Sequence, residues 1–134
     1  MKNDNSNRST CIAVLPFENL SGDSDHDYFA TEFVEDLITD LSRFHSLQVI
    51  SSYTSKKMGT ESHDGLAEAK ALAISYLLKG SLRRKADQIR ITTQLIEVAS
   101  GSVIWAERYD APLDTIFDIQ DDIVERVAGA LSSQ

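Results

Sequence analysis

Cys11-Ile12-Ala13-Val14-Leu15 is an unbroken apolar run that ends at Pro16, where the chain loses a backbone donor. A strand with one wet face alternates apolar and polar residues. A strand without alternation is buried on both faces, the pattern of a central strand in a parallel sheet. Parallel neighbours need a crossover, and the next segment supplies it. From Asp23 or Ser24 onward, Phe29, Phe33, Val34, Leu37, Ile38, Leu41 and Phe44 recur at spacings of three and four, one stripe on a helix. Asp23 and Ser24 suit its N-cap, Asp25 and Asp27 its first turn, and Arg43 and His45 its far end. Leu47 to Ile50 reads as a second short strand, so Cys11 to Ile50 predicts a strand-helix-strand unit. Glu18-Asn19-Leu20-Ser21-Gly22-Asp23 reads as turn chemistry between the first strand and the helix.

Outward from that unit, Met1 to Ser9 is polar and is expected to be a disordered leader, with residues 10–134 forming a single domain. Ser51 to Asp64 is a polar connection. Leu66, Ala69, Leu72 and Ala73 predict a short helix. Tyr76 to Lys85, Ile89 to Val98 and Val103 to Tyr109 are strand-like segments joined by Ala86-Asp87-Gln88 and Ala99-Ser100-Gly101-Ser102, which predicts an antiparallel meander. Pro112 and Asp114-Thr115 end the sheet and cap a last helix with the stripe Phe117, Ile119, Ile123, Val124, Val127 and Leu131. The fold class is therefore α/β: a mixed five-stranded sheet in the order β-α-β-α-β-β-β-α, with the first and last helices packed on it.

The 134 residues carry 13 basic and 21 acidic side chains, a formal charge of −8. That balance disfavours nucleic acid, whose phosphates require an excess of Lys and Arg on one face. Cys11 is the single cysteine and has no internal disulfide partner. No stretch is long and apolar enough to span a bilayer, so direct membrane insertion by this segment is not expected.

Several stretches stand in an order seen in a known family: Ile12-Ala13-Val14-Leu15-Pro16-Phe17-Glu18-Asn19-Leu20-Ser21-Gly22-Asp23, Tyr28-Phe29-Ala30 and Glu35-Asp36-Leu37-Ile38-Thr39-Asp40-Leu41-Ser42. They continue in Tyr76-Leu77-Leu78-Lys79-Gly80-Ser81-Leu82-Arg83-Arg84, Ile89-Arg90-Ile91-Thr92-Thr93-Gln94-Leu95-Ile96 and Ile104-Trp105-Ala106-Glu107-Arg108-Tyr109-Asp110. The chain resembles, from about Thr10 to Leu131, the TolB amino-terminal-like domain of bacterial signalling proteins. The resemblance implies an α/β domain excised from a longer protein, between a class III adenylate/guanylate cyclase or winged-helix DNA-binding domain and tetratricopeptide repeats. It leaves the compartment as cytoplasm or periplasm, according to whether the parent has a preceding membrane span. One departure concerns the hairpin, where the family usually carries Gly-Asn and this chain has Asp87-Gln88.

Catalytic constellations are missing from the sequence. Gly-x-Ser-x-Gly, Gly-x-Gly-x-x-Gly and the phosphate loop do not occur. His26, His45 and His63 lack zinc spacing, and Asp23-x-Asp25-x-Asp27 puts Tyr28 and Val34 where a calcium loop needs Gly and Glu. No cofactor or metal is expected, and the segment itself is read as non-enzymatic. The candidate partner surface comprises an acidic set, Glu18, Asp23, Asp25, Asp27, Glu32, Glu35, Asp36 and Asp40, and a second set, Arg83, Arg84, Arg90, Trp105 and Arg108. The acidic set reads equally as the solvated side of a helix. The basic hairpin is expected to pair with Glu97, Glu107 or a partner's acidic patch. The expected function is a non-catalytic regulatory or interaction module coupling a protein partner or ligand to an attached output domain, with a homo-oligomer among the candidate assemblies. Two alternatives stand beside it: a freestanding protein-binding domain of an envelope or flagellar system, and nucleic-acid binding through the Arg83/Arg84 hairpin.

Overall fold

The computed structural model describes residues 10–21, 27–51 and 66–132. The elements run β1 (Thr10–Val14), β2 (Glu18–Asn19), α1 (Asp27–Leu41), β3 (Leu47–Ile50), α2 (Leu66–Ala71), β4 (Tyr76–Lys85), β5 (Gln88–Glu97), β6 (Ser102–Pro112), a 3-10 turn (Leu113–Thr115) and α3 (Ile116–Ser132). β1 lies between β3 and β4 and is parallel to both, with Ile12 opposite Val49 on one side and Tyr76 on the other. β4, β5 and β6 form the antiparallel meander, so the sheet order is β3-β1-β4-β5-β6. The expected leader, the N-cap residues Asp23 and Ser24, and most of the polar connection lie outside the described residues.

Two cores sit on the two faces of β1. Ile12 and Val14 join the larger one, built with Phe33, Leu37 and Leu41 of α1 and Ile123, Val127 and Leu131 of α3. Ala13 and Leu15 join a smaller one with Ala69, Ile74, Leu77 and Val98. α1 and α3 thus cover one side of the whole sheet, while α2 covers only the β1 end of the other.

All five expected strands form, and β2 adds a sixth where turn chemistry was expected. After Pro16 the chain stays beside β4, pairing Glu18 with Ser81 and Asn19 with Leu82. The cause is Phe17, whose buried ring lies over Gly80 and meets Phe33 at 5.6 Å. A Cβ on Gly80 would collide with the carbonyl oxygen of Thr92 and stand 2.8 Å from the Phe17 ring. The turn itself begins later, where the Asn19 side chain accepts from the Ser21 N–H.

Four apolar residues leave their predicted stripes. Phe117 is 68% exposed: it stands in the first turn of α3, although Val124, seven residues on and so on nearly the same line of the helix, is buried. Phe44 falls in the turn after α1, where its N–H donates to the carbonyl of Leu41. Leu72 and Ala73 lie past the end of α2. Ala73 there has φ 60°, its N–H donates to Lys70 and the Ile74 N–H donates to Ala69, a left-handed helix cap whose flanking residues Ala69 and Ile74 pack together.

The β4-β5 hairpin closes with Ala86 at φ 54°. In β6 the pairing shifts between Leu95↔Trp105 and Ile96↔Val103, which leaves Ile104 as the extra residue of a bulge. Ile104 and Trp105, neighbours in sequence, therefore both pack against the larger core.

Gly80→Ala is expected to lower unfolding stability by about 1–3 kcal/mol through the collision with Thr92, read by urea denaturation. Ala73→Gly and Ala86→Gly are expected to raise it, each by up to about 1 kcal/mol, because a left-handed backbone strains alanine more than glycine.

Candidate functional site

Side chains alternate across a sheet, and the register of the meander decides which face each charge occupies. Tyr76, Leu78 and Leu82 of β4 and Ile89, Ile91 and Leu95 of β5 point to the helices. The intervening residues of β4 and β5, and their partners on β6, form the open face. Lys79, Arg83 and Lys85 stand there on β4, Arg90 on β5 and Arg108 on β6, among Ser81, Gln88, Thr92 and Gln94. Arg83 is directly opposite Arg90, a like-charge pair that costs a few tenths of a kcal/mol up to about 1 unless offset.

Asp110 supplies the offset. It lies opposite Arg90 on β6, accepts from Arg90 Nε at 2.6 Å through Oδ1 and is 3.3 Å from Arg108 Nε through Oδ2. The hydrogen bond from Arg90, with the charges of Arg90 and Arg108, holds the Asp110 carboxyl below its ordinary range. The expected partners Glu97 and Glu107 are not used, because Glu97 opposes Tyr76 and Glu107 opposes Thr93, placing both on the helix side. Thr93 is fully buried and donates its hydroxyl to the Glu107 carbonyl.

The acidic side chains collect on the other side of the molecule. Glu32 and Asp36 are exposed on α1, and Asp118, Asp121 and Glu125 share the outer face of α3. Glu35 and Asp40 are half-buried, whereas Glu18, exposed on β2, pairs with Ser81 and so stands on the open face. Bases in this helix layer are tied to local acids: Arg43 lies 3.8 Å from Asp40 and Arg126 lies 3.6 Å from Asp122. Asp36 also accepts from the buried Gln120 amide at 3.1 Å, which links α1 to α3. Tyr28, 70% exposed, donates to Glu32, whose carboxylate pushes the phenol up. Asp23 and Asp25 lie outside the described residues, and Asp27 begins α1.

The candidate set therefore divides. Arg83, Arg90 and Arg108 come together on the open face. Arg84, their sequence neighbour, turns to the helix side, with its guanidinium carbon 6.0 Å above the Phe29 ring. Trp105 is half-buried against the larger core. Nearby, the Tyr109 hydroxyl donates to Asp122 at 2.6 Å, joining β6 to α3, and burial with that carboxylate raises the phenol well above its usual range. Asp110 is the member the sequence reading missed; its signal was the register, which sets it beside Arg90.

Cys11 is half-buried and burial pushes its thiol up, the opposite of an activated nucleophile. Among the described residues no three His, Cys, Asp or Glu side chains are placed to share a metal ion. An open cleft of about 230 Å³ runs along the hairpin between Arg83, Lys85, Arg90 and Asp110. Another, of about 330 Å³, lies between Lys70, Ile74, Tyr76 and Val98. The first is lined by three bases and one acid, the second by one of each, Lys70 and Glu97.

Residues 8–126 match the family model of the second domain of HilA/YgeH-like transcriptional regulators. A protein of Rhizobium meliloti (strain 1021) named "Putative adenylate cyclase 3" is 43% identical over 120 residues, covering 90% of this chain and 20% of its own length. TolB from Acinetobacter baumannii shares the fold with a TM-score of 0.68 at 19% identity, over 93% of this chain and 29% of that one. The lipoprotein GNA1162 from Neisseria meningitidis does so at 0.65 and 12% identity, over 89% and 96%. The chain thus spans about a fifth of that curated relative's length.

Because Arg90 holds the Asp110 carboxyl ionised, any stabilisation it gives is present above the ordinary value of 3.8 and is lost as pH falls through the lowered one. Arg90→Gln is expected to move the Asp110 midpoint back up toward that value in an NMR carboxyl titration, while Arg126→Gln leaves it in place.

Proposed function

This chain belongs to the family of the second domain of HilA/YgeH-like transcriptional regulators, and we propose that it is a non-catalytic regulatory module, coupling the binding of a protein partner or ligand to an attached output domain. One observation carries the reading. The same domain belongs to a transcriptional-regulator family and recurs, at 43% identity, as a fifth of a protein named as an adenylate cyclase. A part held in common by a regulator and a cyclase is not the output of either; it is the part that informs the output. The likeness to TolB and to a lipoprotein carries the fold alone and favours no envelope role.

The chemistry agrees. A nucleophile or general acid-base pair needs activated groups within hydrogen-bond reach, and three of the perturbed groups among the described residues are held otherwise. Tyr109 is locked to Asp122, Asp110 to Arg90, and the Cys11 thiol is raised by burial. These contacts suit transmission. α3 is held to α1 through Gln120 and Asp36 and to the sheet through Asp122 and Tyr109. A partner bound on either face shifts α3 against the sheet, and its differential affinity for the two arrangements biases the output.

The test is made in a parent protein that carries this domain. Removing residues 10–132 and joining the flanks is expected to leave the output, cyclic-nucleotide synthesis or transcription, active but unresponsive to its normal signal. The 134-residue chain alone is expected to form no cyclic nucleotide from ATP or GTP. Turnover by the isolated chain, or a deletion that keeps full responsiveness, overturns the proposal.

A further inference from the structure

The open face of the meander carries Lys79, Arg83, Lys85, Arg90 and Arg108 against two acids, Asp110 and the Glu18 that pairs with Ser81, in a chain whose formal charge is −8. The opposite side is its electrostatic counterpart. Glu32 of α1 and Asp118, Asp121 and Glu125 of α3 are exposed, Arg43 and Arg126 of that layer lie beside Asp40 and Asp122, and the one base that reaches it from the sheet among the described residues, Arg84, lies over Phe29. The larger core lies between these two surfaces, so they cannot meet within one molecule. Two molecules can bring them together. We propose that the basic open face of β4-β5-β6 seats the acidic α1-α3 layer of a second copy of this chain, in a head-to-tail arrangement.

The arrangement follows from the faces. A two-fold dimer that used either surface against itself would set like charges together, whereas a head-to-tail contact sets unlike charges together and leaves each copy with one complementary surface free. Repetition then gives a ring or a longer row. A duplex or single strand fits less well: the whole molecule is acidic, and by register the open face offers Ser, Thr, Gln and Ala between its bases and no aromatic ring for a base to stack on. Association through these two faces does not depend on any attached output domain.

The distance law of the interaction gives the assay. At about 0.15 M salt the screening length is about 8 Å, so facing charges still attract while the overall repulsion between two acidic molecules is damped. At about 1 M it falls to about 3 Å and the attraction is lost. Sedimentation of the 134-residue chain is expected to show association in the first condition and monomer in the second.

Two charge-reversed variants complete the test. Arg83→Glu/Lys85→Glu/Arg108→Glu makes both surfaces acidic and spares the Arg90–Asp110 pair. Glu32→Lys/Asp118→Lys/Asp121→Lys/Glu125→Lys reverses the four exposed acids of the α1-α3 layer, so that both faces are basic. Each alone is expected to be monomeric. Their mixture is expected to associate, since each now presents what the other lacks, and that recovery also shows both to be folded. A wild-type chain that stays monomeric at 0.15 M salt, a mixture that stays monomeric, or a monomer whose open face instead retards duplex DNA overturns the proposal.

Discussion

Ile12, Ala13 and Val14 have no exposed surface, and a strand in that position must be flanked on both edges and covered on both faces. The rest of the architecture answers that demand. α1 carries the chain over to β3 and returns apolar cover as it goes, and α2 does the same on the way to β4 while closing the smaller core. Once β4 is in place beside β1, the tight turns at Ala86 and Gly101 oblige β5 and β6 to follow as a meander. The extra strand β2 is a by-product of the same geometry, since Phe17 needs the bare surface of Gly80 and brings Glu18 and Asn19 alongside β4.

Coverage of the sheet is unequal, and the charge pattern follows from it. Where helices lie on the sheet, the buried alternate residues of β4 and β5 are mostly Leu and Ile. On the face that α2 does not reach, the same strands carry Lys, Arg, Ser, Thr and Gln. The period of two makes this sorting automatic: Arg83 and Arg84, adjacent in the chain, end on opposite sides, one beside Arg90 and the other over Phe29.

Much of this was legible in advance because it depends on local patterns. The apolar run at β1, the three-and-four spacing of α1 and the polar breaks of the meander fixed the element order and the pairing of neighbours. What escaped depended on register or on a handful of atoms. Asp110 could be matched to Arg90 only once β5 and β6 were aligned. Gly80 offered no sign that a phenylalanine 63 residues earlier would lie on it. Phe117 looked like a stripe residue because the spacing rule counts apolar residues without asking where the helix begins. The candidate surface was read as an acidic set and a second, mainly basic set, whereas the fold splits the second, turning Arg84 to the helix side and Trp105 against the core.

The bulge at Ile104 bears on how strands end. β6 is eleven residues long and pairs among the described residues only with β5, so its outer row of amide and carbonyl groups is a template on which a foreign strand could crystallise into a growing ladder. The extra residue breaks the even spacing such growth requires, and Pro112 withdraws a donor from its far end. At the opposite margin β3 is only four residues long. Backbone-to-backbone fibril growth is therefore hindered at both margins of the described sheet, and the edges that close the fold also guard it against aggregation.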